Sequence, residues 1–285
     1  MIAAILFATA LAKFDGVAGY AAINLDTGKR VARNGNERFP MASVYKIPAA
    51  IALLQRVDRG EYRLDQPITI TPAEFSRGWS PIRDHANGQP VTMSLGELFE
   101  FMLGQSDNSA VDKVFTMLGG PSVVQKVVRD LGIKGINVNR KENEVGADAM
   151  ADPVAYSRDP RDTSTPDAMV DLLRLIYRNK VKLTPASRDL MLKVMAGSMT
   201  GPHRIREAMP AGTIVAHKTG NMPGTGNDVA IVTSADGKHH MAIAVFTKAS
   251  KVDDSERDAL IRELVYDAAA AVGFPAAAAP ERSSP

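Results

Sequence analysis

Strand-forming segments crowd the two ends of this 285-residue chain, and its middle is written almost wholly in helical periodicity. Gly19 to Asp26 reads as a strand, and the turn Asp26-Thr27-Gly28-Lys29 leads into Arg30–Arg33 as a β-hairpin. Strand character returns only at Ile214–Lys218 and Asp228–Thr233. It continues past the turn Ser234-Ala235-Asp236-Gly237-Lys238 into His240–Thr247. Between these ends, apolar spacing predicts helices over Val44–Arg59, Leu95–Met102, Ala110–Leu118, Ser122–Leu131, Asp167–Asn179 and Pro185–Ala196. In the first of them Ile47, Ile51, Leu54 and Val57 track one face, Ser43 is the natural N-cap and Gly60 the stop. Asp253–Val272 predicts a long closing helix. Strands at both ends with helices between imply one sheet built from both termini, with a helical insertion. The expected class is α+β. Residues 1–36 and 206–285 would form a discontinuous α/β domain, and 37–205 an all-α domain.

Charge and residue usage exclude several function classes. Lys and Arg number 34 against 32 acidic residues, a net charge of +2, and no basic run marks a nucleic-acid face. The absence of cysteine excludes disulfides, thiolate metal sites and a cysteine nucleophile, and removes any clue to redox compartment. His85, His203, His217, His239 and His240 lack the spacing of a metal site; the adjacent pair would point to opposite faces of a strand. Met1–Ala12 is apolar but too short to span a bilayer. It has the length of a signal-peptide core and an Ala8-Thr9-Ala10 step, yet no basic segment before it. Residues 274–285 form an Ala/Pro/Ser tail expected to be disordered.

Three short strings carry candidate chemistry: Ser43-Val44-Tyr45-Lys46, Ser106-Asp107-Asn108 and Lys218-Thr219-Gly220. A serine hydroxyl is a poor nucleophile until its proton is removed. Lys46 lies three residues beyond Ser43, on the same helix face, and the N-terminal N–H groups there favour developing negative charge. A capping serine followed by a solvated lysine would look the same in isolation. The second string falls in a polar break between two helices, where a plain Ser/Asn turn is the bland alternative. The third ends a predicted strand beside Asn221. A cation and a hydroxyl there suit a substrate carboxylate, and Gly220 would let a ligand approach the backbone.

Together with Arg140-Lys141-Glu142 and Arg161-Asp162-Thr163-Ser164-Thr165-Pro166, these strings resemble the class A serine β-lactamases, over about Gly19 to Ala271. The resemblance implies an antiparallel sheet flanked by N- and C-terminal helices, plus an all-α domain, with the active site between them. It also favours reading Met1–Ala12 as a helix docked before the first strand. Ser43 would be the nucleophile, Ser106 a proton relay to the leaving nitrogen, and Asn108 a partner of both Lys46 and the substrate amide. Asp107 would brace its loop. The N–H groups of Ser43 and Asn221 would form an oxyanion hole, and Lys218, Thr219 and Gly220 would line the substrate carboxylate site. Glu142 would activate the water that releases the acyl-enzyme, presented by an Ω loop over 140–162 that an Arg140–Asp162 ion pair closes. Glu144 is near, but the R-x-E spacing selects Glu142. Whether Lys46 or Glu142 takes the serine proton stays open.

Four positions stand apart. Gly146 occupies the place of an asparagine that helps hold the deacylating water in many members. Arg140 to Asp162 is several residues longer than the usual loop; the excess, within Ala147–Pro160, is expected to enlarge or loosen one wall. Asn227 stands near a carboxylate-binding arginine of many members, and Arg204 is the substitute cation to consider. Trp79, the only tryptophan, aligns with an aromatic at the cleft mouth and could stack on substrate or simply pack. The implied function is hydrolysis of a small-molecule β-lactam without a cofactor, by a monomer without a membrane span, in the periplasm or outside the cell. Alternatives are a penicillin-binding D,D-peptidase and a β-lactam sensor acylated with slow release.

Overall fold

The computed structural model describes residues 14–275, so the expected helix over Met1–Ala12 and residues 276–285 lie outside the described residues. The chain opens with β1 (Val17–Asn24), β2 (Arg30–Arg33) and β3 (Phe39–Pro40), then a 3-10 turn over Ala42–Tyr45 and helix α1 (Lys46–Asp58). The helical middle holds β4 (Pro67–Ile70), α2 (Pro81–Ala86), β5 (Val91–Ser94), α3 (Leu95–Leu103), α4 (Asn108–Leu118) and α5 (Pro121–Asp130). Next come α6 (Glu142–Ala151), α7 (Pro153–Arg158), β6 (Thr163–Ser164), α8 (Pro166–Tyr177) and α9 (Pro185–Ala196). The chain returns to strand with β7 (Ile214–Met222), β8 (Thr225–Thr233) and β9 (His240–Lys248), and ends in α10 (Asp254–Val272).

The two ends do build one α+β sheet, in the order β2-β1-β9-β8-β7, with every neighbouring pair antiparallel. β1 is alanine-rich because helices cover both of its faces. Ala21 and Ile23 join the core shared with the helical middle, while Ala18, Tyr20 and Ala22 join the core under α10. β7 is left at the sheet edge, packed against the 3-10 turn that carries Ser43. This edge and the helical middle frame the cleft.

Three expectations need correction. Ser43 is not the N-cap of a helix starting at Val44: it lies inside the 3-10 turn, and α1 starts at Lys46 behind Tyr45, with no side-chain cap. Ala42, at φ +45°, turns the chain sharply enough to make that tight entry. α1 is also buried on all sides from Lys46 through Leu54, rather than on one face, as befits a helix running into a core. Phe274, assigned to the tail, is buried in the core under α10. Its N–H bonds to the Ala269 carbonyl at 2.9 Å after a left-handed Gly273.

The segment from Arg140 to Asp162 also differs from a loosened loop. Its added length folds as the end of α6 and as α7, whose N-cap Asp152 accepts from the N–H groups of Val154 (3.0 Å) and Ala155 (2.9 Å). Val145, Ala149 and Tyr156 form a small apolar cluster against Met222 of β7. The β3–β6 pairing, Phe39 with Ser164 and Pro40 with Thr163, ties the end of this segment to the entry of the Ser43 turn.

Candidate active site

Ser43, Ser106, Asn108, Glu142, Thr219 and Asn221 line one cavity of about 1040 Å³. The Lys46 ammonium sits beneath it, within 2.9 Å of Ser43 Oγ, 2.7 Å of the Ser106 carbonyl, 3.3 Å of Ser106 Oγ and 2.6 Å of Asn108 Oδ1. Four acceptors thus compete for three protons. Burial lowers the Lys46 pKa, opposed by the carboxylates of Glu142, Asp107 and Asp112. A lysine poised in this way can lose a proton to its surroundings and take one from a hydroxyl 2.9 Å away.

The Ser106-Asp107-Asn108 string is held from below. Asp107 is fully buried and caps α4, accepting from the Ala110 N–H (2.8 Å), the Ile82 N–H (2.8 Å) and the Ser80 hydroxyl (3.1 Å). It braces the loop, as expected. Ser106 is pinned at φ +60°, and its Oγ accepts from Lys218 Nζ at 2.8 Å. Lys218 is fully buried, and burial pushes its pKa well down, reinforced by the positive charge of Lys46. Ser106 therefore stands between two ammonium groups.

The β7 edge carries the rest. Thr219 Oγ1 lies 2.6 Å from Thr200 Oγ1 across the cavity floor. A Cβ on Gly220 would fall 2.5 Å from the Met41 carbonyl and 3.2 Å from the Ser43 nitrogen. The glycine's missing side chain therefore admits the Ser43 turn against the strand, rather than a ligand. Asn227 is buried, donating to the Pro40 (2.9 Å) and Met41 (3.1 Å) carbonyls, so it braces that same turn. Arg204 is buried too: it donates to Asp258 (2.6 Å), the Asn227 carbonyl (2.9 Å) and Asn221 Oδ1 (2.6 Å). It sits behind Asn221 and outside the cavity lining.

Opposite this edge, the Arg140–Asp162 ion pair forms at 2.7 Å, and Asp162 also accepts from the N–H groups of Asn139 (2.7 Å) and Arg140 (3.1 Å). Glu142 follows as the first residue of α6, buried but lining the cavity. Its N–H donates to Asp112 Oδ1 at 2.6 Å, and the Asn143 N–H to Asp112 Oδ2 at 3.1 Å. Burial raises the Asp112 pKa to about 6 against the pull of those two N–H groups. Glu144 is spent on the helix cap, accepting from the Lys141 N–H at 2.8 Å. A Cβ at Gly146 would meet nothing within 4 Å. At the cavity mouth Trp79 is 61% exposed, its indole N–H bonded to the Gln105 carbonyl at 2.9 Å, with exposed Met150 and Met199 nearby.

Known proteins share this architecture. The family model for the Beta-lactamase enzyme family matches residues 2–272. The extended-spectrum beta-lactamase PER-1 of Pseudomonas aeruginosa is 31% identical over 82% of this chain and 76% of its own length. Beta-lactamase CTX-M-97 of Escherichia coli is 32% identical over 86% of this chain and 81% of its own. The crystal structure of a beta-lactamase from Chitinophaga pinensis superposes with a TM-score of 0.84 at 35% identity, covering 95% of this chain and all of the other. The chain belongs to the class A serine β-lactamase family.

Within this family frame, sequence reading gave no role to two residues of the site. Asp112 lies one helical turn after Asn108 on the buried side of α4, so an aspartate on an apolar helix face was the available signal. Tyr45 was visible only as a filler inside the first string. It is fully buried, stacks on Phe115 with ring centroids 5.6 Å apart, and donates its phenol hydrogen bond to Glu142 Oε2.

Proposed function

We propose that this β-lactamase opens the lactam amide through an acyl-enzyme on Ser43. The observation that carries the reading is the meeting of a lysine-bonded serine with a second, separately supported carboxylate, Glu142, in one cavity. Ser43 attacks the carbonyl as Lys46 and Glu142 manage its proton, and Ser106 passes a proton to the ring nitrogen. The N–H groups of Ser43 and Asn221 hold the oxyanion. Asn108 orients the substrate amide, and Thr219, with Lys218 buried beside it, receives its carboxylate. Arg204, itself paired with Asp258, holds Asn221 from behind, which supports a part in placing Asn221 rather than direct contact with the carboxylate. Trp79 offers a free aromatic face to the bicyclic ring. Water activated by Glu142 clears the ester.

We take the working form to be a monomer acting in the periplasm or outside the cell; among the described residues no helix is long and apolar enough to cross a membrane. The test mixes purified protein with excess benzylpenicillin and follows ring opening and intact mass together. Continuous hydrolysis with little adduct is expected. One stoichiometric burst ending in a stable Ser43 adduct would move the reading to a penicillin-binding peptidase or a sensor.

A further inference from the structure

We propose that Tyr45 is a positioning residue for deacylation, its phenol O–H fixing one oxygen of Glu142 so that the other is presented to water. The proposal rests on the role given to Glu142 above. Among the described residues, Tyr45 is the only side chain that hydrogen-bonds the Glu142 carboxylate, and it does so at Oε2. Lys46 is committed elsewhere, to Ser43, Ser106 and Asn108. One helical turn beyond Glu142, Gly146 lines the cavity and contributes no side chain. The carboxylate that must abstract a proton from water is thus oriented from the core side, by one of the two residues between the nucleophile and its lysine.

The support for Tyr45 is itself rigid. Its ring stacks on Phe115 of α4, and Asp112, three residues earlier on that helix, takes the Glu142 N–H. One helix therefore fixes both the backbone and, through Tyr45, the side chain of the same glutamate. Burial, reinforced by the Glu142 charge, raises the Tyr45 pKa well above the usual tyrosine range, so the phenol keeps its proton and donates.

The test is Tyr45→Phe, which keeps the ring on Phe115 and removes only the hydroxyl. Benzylpenicillin turnover should lose about tenfold in kcat, with KM falling in step, kcat/KM near the parent value, and acyl-enzyme accumulating on Ser43. Adding Gly146→Asn to the Tyr45→Phe enzyme should recover part of kcat, since the space there is open. An unchanged kcat would overturn the proposal. So would an equal loss in kcat and kcat/KM with no acyl-enzyme accumulating, which is the mark of a merely structural tyrosine. Should Glu142→Gln fail to trap acyl-enzyme in the same assay, the β-lactamase mechanism beneath the proposal falls, whatever Tyr45 does.

Discussion

The two sides of the cleft are built differently. On the Ser43 side, Lys46, Ser106, Asn108 and Lys218 form a buried network in which each lysine meets more than one acceptor and Ser106 is held by both lysines. On the Glu142 side, one carboxylate stands on a helix N-terminus, supported by one aspartate, one tyrosine and an ion pair further back. Redundancy suits the first step, where one proton must be passed among several groups without any of them being stranded. The second step needs only one base and one water in register, so its side of the cleft relies on placement. If the proposed mechanism holds, acylation and deacylation should be separable by mutation.

Lys46→Ala puts that separation to its hardest test. Stopped-flow acylation should slow on the order of 10²–10⁴-fold, the range for losing a positioned proton acceptor. Whatever acyl-enzyme does form should still be released by Glu142, and a matching loss in deacylation would break the comparison. Arg140→Ala strikes the other side. It takes the cation from the Asp162 carboxylate, which is 1% exposed and keeps only backbone N–H donors, and should cost about 3–5 kcal/mol in chemical denaturation. Acylation should stay near the parent rate while deacylation fails.

Asp112→Asn is the gentlest of the three. The Asp112 carboxyl titrates near pH 6 when folded and near its ordinary value of 3.8 when unfolded. Between those limits the folded state binds more protons than the unfolded. This group therefore makes stability fall as pH rises from about 4 to about 6, and its contribution is fully favourable only below that window. Unfolding free energies measured across the window should change with pH along a slope that is more positive for Asp112→Asn than for the parent. An identical slope would mean that the pull of the two N–H donors cancels the effect of burial on its ionisation.

The same contrast explains what could be read from the sequence. The Ser43–Lys46 contact is local, fixed by a three-residue spacing on one turn, and so was legible. The Arg140–Asp162 pair was legible because a motif bounds the segment at both ends. The 3-10 entry was not, because it depends on Ala42 at φ +45°, a conformation that alanine does not advertise. The positions of Arg204 and Gly220 were hidden for another reason: Asp258 lies 54 residues beyond Arg204, and Met41, which packs against Gly220, lies far from β7 in sequence. The sheet itself followed from where the strands fall along the chain. Helices α6 and α7 were missed because the short segment, read as a loop, has little apolar periodicity beyond the three residues of its own cluster.

The central claim is that release of the acyl group depends on Glu142, while its formation can proceed through the Ser43–Lys46 network without that carboxylate. Glu142→Gln mixed with benzylpenicillin, sampled by intact mass within seconds and again after an hour, tests it most directly. The account predicts a stoichiometric adduct on Ser43 that forms readily and persists. A Glu142→Gln enzyme that turns over at the parent rate with no adduct would contradict it.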